Sequence, residues 1–200
     1  MAKRRGKRGT GGRLGDNSSR RRTQIRVRAA AEYGQHALRL IHPRCARQRS
    51  DDLEEVRKML AAGEVEIATD ELRWLLDGCS DAVEIHRLLG DLSYAAGDLR
   101  LARGHYGYSY DIVLAALPAR PPRGSLPYEI AENQSFFLAA AGLARCLWKL
   151  DKQGKAKRVV ETLLNLDPSD PLGVAALADK EPRGSGGADG ADQGSGCANS

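Results

Sequence analysis

Long apolar runs are missing from this 200-residue chain: nowhere do 18 or more apolar residues follow one another, so no membrane-spanning helix is expected. No apolar segment of signal-peptide type follows the basic start, and a soluble, cytoplasmic protein is the expectation. An Arg-rich, acid-poor start also has the composition of an organelle transit peptide, while the heavy Ala, Arg and Gly usage suits a GC-rich bacterial coding sequence. Cysteine is scarce. Cys45, Cys79, Cys146 and Cys197 form no CxxC pair and have no His at ligand spacing, which argues against a zinc site and leaves Cys79 and Cys146 expected as small, reduced, apolar groups. His36, His42, His86 and His105 are isolated, without a carboxylate or thiol placed for a triad or a metal. GxGxxG is absent, and Gly9-Thr10-Gly11-Gly12 lies in a basic stretch with no strand ahead of it. The chain is therefore expected to be non-enzymatic, with no catalytic residue, no metal and no cofactor.

What is abundant is charge, and it is unevenly placed. Residues 1–50 hold 15 Lys/Arg against Asp16 and Glu32, a net +13, and since the whole chain is +5 the other 150 residues carry −8. Residues 1–22 combine dense positive charge with Gly and Ser and are expected as a disordered basic tail. Their Arg4, Arg5, Lys7, Arg8, Arg20, Arg21 and Arg22, with Lys3 and Arg13, suit non-specific phosphate binding, so a nucleic-acid-associated protein is the alternative function. Tyr33 is the sole aromatic in this head, which leaves no stacking platform for single strands.

From residue 23 to 49 the spacing of Ile25, Ala29, Tyr33, Ala37, Leu40 and Ile41 predicts a basic amphipathic helix ending near His42-Pro43. Ser50, Asp51 and Asp52 read as N-cap residues, and Asp51 with Glu54 has capping-box spacing, as does Asp81 with Glu84. Helices are predicted over about 50–62, 65–77, 82–96, 99–117, 132–150 and 153–166. Pro118, Pro121, Pro122, Gly124 and Pro127 break the pattern and mark an insertion over about 117–136. A short closing segment is expected near Leu172–Ala178, and residues 179–200 read as a flexible Gly/Ser-rich tail.

Within the helical region, Ala61-Ala62-Gly63-Glu64 returns as Ala95-Ala96-Gly97-Asp98, 34 residues on, with Ala68 matched to Ala102 and Leu72 to Tyr106. Residues 83–116 carry Leu89-Gly90, Gly97, Ala102 and Tyr106 in register; residues 49–82 keep Gly63, Ala68 and Leu72; residues 137–170 supply Leu143-Ala144, Ala156 and a closing Asp167-Pro168. This pattern resembles the tetratricopeptide repeat over the region 50–178. The resemblance implies an all-α solenoid of about three helical hairpins, packed through Gly63, Ala68, Leu89, Gly90, Gly97, Ala102, Tyr106, Ala156 and Pro168. It also implies a concave groove, lined by the first helix of each unit, that binds a peptide or partner helix. At the matching positions stand Arg57, Glu84, Arg87, Asp91, Tyr94, Arg145, Trp148 and Lys149. The function so implied is a protein-binding scaffold, its partner and oligomeric state unidentified. Leu88 stands where family members that clamp carboxylates have Asn, which argues against that particular role.

Overall fold

A computed structural model describes residues 25–178. Helices dominate, and a two-stranded antiparallel sheet precedes them. Strand β1 (Arg26–Ala29) pairs with β2 (Leu38–Ile41) across a 3-10 turn at Ala31–Tyr33. Then come α1 (Arg44–Arg47), α2 (Ser50–Ala61), α3 (Val65–Asp77), α4 (Val83–Ala95), α5 (Leu99–Ala116), α6 (Ala131–Lys149), α7 (Gln153–Leu166) and α8 (Ala175–Ala178).

Three hairpins, α2/α3, α4/α5 and α6/α7, share one turn design. Gly63 and Gly97 take left-handed conformations at φ 81° and 82°, and Asp151 takes the equivalent place in the third turn at φ 55°. Glycine suits this conformation because it has no Cβ to meet the carbonyl. Each following helix opens with the same bond: the amides of Ala68, Ala102 and Ala156 donate to the carbonyls of the N-cap residues Glu64, Asp98 and Lys152, each at 3.0 Å. Asp98 alone of these three also caps with its side chain, accepting from the Leu101 amide at 2.9 Å.

Small residues set the packing between hairpins. Ala68, Ala102 and Ala156 are buried, and the Tyr106 ring of α5 lies between two glycines, Gly90 of α4 and Gly142 of α6. A Cβ on Gly90 would stand 2.6 Å from the ring, and one on Gly142 would stand 2.5 Å from it. Backbones approach this closely only where no side chain intervenes. Leu89 is buried with the first hairpin, whereas Pro168 is exposed, its Cδ 3.7 Å from where a Cβ on Gly124 of the connector would stand. Gly142 thus does for the third hairpin what the sequence comparison assigned to Leu143-Ala144.

The helix predicted over 23–49 is replaced by the β-hairpin and α1. Its apolar residues fit a helical spacing, but β2 finds partners far along the chain that a helix could not meet. Leu38 donates to the Ser125 carbonyl at 2.8 Å. Asn133, fully buried at the start of α6, accepts from the Leu40 amide at 2.9 Å and donates to the carbonyls of Leu38 and Pro127. One amide side chain therefore fills the role of a missing neighbouring strand. The Pro-rich connector is fixed at its other side, where Gly124 and Leu126 donate to Asn165 and Leu166 at the end of α7.

Two predicted caps also differ. Ser50 lies inside α2, whose N-cap is Arg49 without a side-chain bond, because α1 runs almost directly into it. Asp81 accepts from Tyr108 Oη at 3.1 Å, and the N-cap of α4 is Ala82. The basic tail expected at 1–22 and the tail expected at 179–200 lie outside the described residues.

Candidate functional site

On α4 the residues Glu84, Arg87, Asp91 and Tyr94 follow one another at spacings of three, four and three, which places them along one side of the helix. That side meets α2 and α6. Glu84 accepts from Arg57 of α2 at 3.1 Å, from Arg87 at 2.7 and 2.9 Å, and from Ser135 of α6 at 2.7 Å. Arg87 also pairs with Asp91, which accepts from Tyr106 Oη of α5 at 2.5 Å. Burial raises the Glu84 carboxyl, but the bonds from Arg87, Ser135 and Arg57 outweigh it and hold the group below its ordinary value. Tyr106 is shifted the other way, upward, by burial and by Asp91. Four of the eight groove candidates, Arg57, Glu84, Arg87 and Asp91, are thus joined in one chain of charge that ties the first two hairpins together, and the Ser135 hydroxyl links it to the third. Arg87, with 15% of its side chain exposed, offers little of its charge to a partner.

The N-terminal ends of α2, α4 and α6 surround a cleft of about 340 Å³. Its floor includes Leu53, Ala82 and Val83, and its rim carries Arg47, Arg57, Glu84, Glu132 and Ser135. His42, whose Nε2 lies 2.7 Å from the Glu132 carbonyl, closes one edge. α1 supplies a wall through Ala46 and Arg47, and this short helix is tied to the α3–α4 loop by a disulfide between Cys45 and Cys79. Cys79 is therefore paired and not reduced as the sequence suggested. The two sulfurs meet because α1 folds back across the first hairpin; Cys146, in contrast, is a free buried thiol that burial pushes up to about 11.

At the opposite end of the same face, the Lys149 ammonium sits 4.6 Å from the centre of the Tyr94 ring. Arg145 is exposed beside them, whereas Trp148 is half-buried against the main core. Among the described residues no group of three or more His, Cys, Asp or Glu gathers as a metal site, and no helix is long and apolar enough to cross a membrane. His86, isolated in the sequence, lies buried with its Nε2 donating to the Ser80 carbonyl at 2.9 Å and its ring 4.5 Å from that of Tyr108. His105 lies beside it, the two Nδ1 atoms 3.2 Å apart. The basic candidates Arg4, Arg5, Lys7, Arg8, Arg20, Arg21 and Arg22 fall outside the described residues.

Sequence reasoning missed Ser135, Ala131 and Glu132, which frame the cleft, because they precede the stretch that matches the repeat pattern. Their signal lay in the helix start after Pro127 and Ile130. No known protein family, curated protein or solved structure matches the chain.

Proposed function

We propose that the chain is a non-enzymatic protein-interaction module of tetratricopeptide type, binding an extended peptide or a partner helix along the face of α2, α4 and α6. The observation that carries this reading is the open cleft at the N-terminal ends of those three helices, with Tyr94, Arg145 and Lys149 toward the C-terminal ends of α4 and α6. Because Arg57, Glu84, Arg87 and Asp91 satisfy one another, recognition falls to the apolar cleft floor, to exposed Arg145 and to the Lys149–Tyr94 pair. An apolar anchor entering the cleft, followed by acidic groups near Arg145 and Lys149, is the partner chemistry this arrangement favours.

The test is affinity purification from the native host with mass spectrometry, comparing the parent with Ala131→Trp and with Arg145→Glu/Lys149→Glu. Ala131 is an exposed first residue of α6 on the cleft, so a bulky replacement fills the space with little cost to the fold. Proteins captured by the parent and lost from both variants support the proposal. Equal capture by all three contradicts it.

A further inference from the structure

Six large apolar side chains are exposed among the described residues, and four of them form a pattern: Ile67 and Trp74 on α3, Leu101 and Tyr108 on α5. Each α3 member precedes its α5 counterpart by 34 residues, and within each helix the two are seven apart, two turns along the same side. The two helices lie close here, since Arg73 of α3 acts electrostatically on His105 of α5 and Tyr108 reaches back to Asp81 in the loop after α3. Trp74 is 62% exposed. An apolar stripe repeated at this register, on the side away from the α2/α4/α6 face, is a surface held open in two hairpins at once.

Its surroundings say what it accepts. Residues 64–81, α3 with its flanking turns, hold six Asp/Glu against Arg73, a net −5, and Glu66, Asp70 and Asp77 are exposed on α3 itself, while α5 carries Arg100 and Arg103 against Asp111. The Arg49 guanidinium already stands 5.3 Å from the centre of the Trp74 ring, which is the contact that arginine makes best with an aromatic face. The matching partner is in the same chain. Residues 1–24 carry nine Lys/Arg against Asp16, a net +8. The described residues begin at Ile25, one residue before β1, and β1 packs on α5, so this segment starts beside the helix that bears Leu101 and Tyr108. Twenty-four residues reach up to about 80 Å when extended, ample to cover both helices. Tethering raises the local concentration to the millimolar range, so contacts too weak for a free peptide suffice.

We propose that the basic segment 1–24 docks on the acidic surface of α3 and the apolar stripe that α3 shares with α5, placing arginine side chains over Trp74 and Tyr108 and among the carboxylates of α3. Occupancy of this surface is then governed by ionic strength, because exposed charges more than a Debye length apart stop attracting. A polyanion that takes the segment would uncover the stripe.

The test uses the full chain carrying Trp148→Phe, which leaves Trp74 as the sole tryptophan, and reads acrylamide quenching of its fluorescence. A second protein adds serine at Arg4, Arg5, Lys7, Arg8, Arg20, Arg21 and Arg22, and its thermal unfolding is compared with the parent's to check that the described fold is kept. At about 20 mM salt the segment should shield Trp74, and quenching should rise about twofold at about 500 mM salt. The serine variant should show the higher quenching at both salt levels. Equal quenching of the two proteins at low salt overturns the proposal. Shielding that disappears on dilution and ignores the serine changes also overturns it, and assigns the stripe to contact between two copies of the chain.

Discussion

Replacing Gly142 with alanine tests how the hairpins are joined. In an ordinary helix interior the change would stabilise, since alanine exceeds glycine by up to about 1 kcal/mol. Here the new Cβ would stand 2.5, 2.7 and 2.8 Å from three carbons of the Tyr106 ring. The ring has no room to retreat, because Gly90 lies against it and its hydroxyl is bonded to Asp91. Overpacking of this kind costs about 1–3 kcal/mol, so after the propensity gain a net loss of about 1–2 kcal/mol is expected. For a protein of this size that lowers Tm by about 3–8 °C. In a Tyr106→Leu background the obstacle is gone, and the same alanine should stabilise by about 0.5–1 kcal/mol. Thermal and urea unfolding followed by circular dichroism, run as a double-mutant cycle, reads both values. Gly142→Ala raising stability with Tyr106 present would refute the reasoning.

Asp151 holds a left-handed conformation that Gly63 and Gly97 fill at the equivalent turns, so Asp151→Gly should stabilise by about 1 kcal/mol in urea unfolding, and a loss would show the aspartate side chain to be needed. The Cys45–Cys79 bond closes 34 residues, and Cys45→Ser/Cys79→Ser should cost about 3–4 kcal/mol by the chain-entropy relation; an unchanged Tm would mean that α1 contributes nothing to the fold. Acid should act in two stages. Burial, together with His105, holds His86 below the ordinary 6.5 despite the Ser80 carbonyl and Asp81, so the unfolded chain takes up its proton first and stability declines as pH falls below about 6.5. Glu84 is held below the ordinary 4.5, so its contribution is present above that value and is lost as pH falls through its depressed folded value. A Tm that stays level between pH 7 and pH 5 would contradict the His86 assignment.

The helices were legible where local rules govern. The α3 range and the α7 range follow from apolar spacing, a small Ala and a sharp stop at Gly78 or Asp167-Pro168, and these act within a few residues of each other; the left-handed Asp151 before α7 had no such sign. The β-hairpin was not legible, because Ile25, Ala29, Tyr33 and Leu40 satisfy a helical spacing and the deciding partners, Ser125 and Asn133, stand about 90 residues away. The disulfide had a sign in the sequence, since Cys45 and Cys79 are one repeat length apart, but pairing depends on how α1 folds back. Most of the groove candidates share one face, yet their charges were read as available when four of them are spent on each other. Spacing places side chains on a face; it does not tell whether a neighbour has already claimed them.

The central claim is that the α2/α4/α6 face is where a partner sits. Its most direct test places a photoreactive phenylalanine derivative at Tyr94, at Ala131, or, as a control, at exposed Asp111 of α5, and crosslinks the full chain in its native host. One common protein should become attached from Tyr94 and Ala131 and none from Asp111. Attachment from Asp111, with Tyr94 and Ala131 silent, would contradict it.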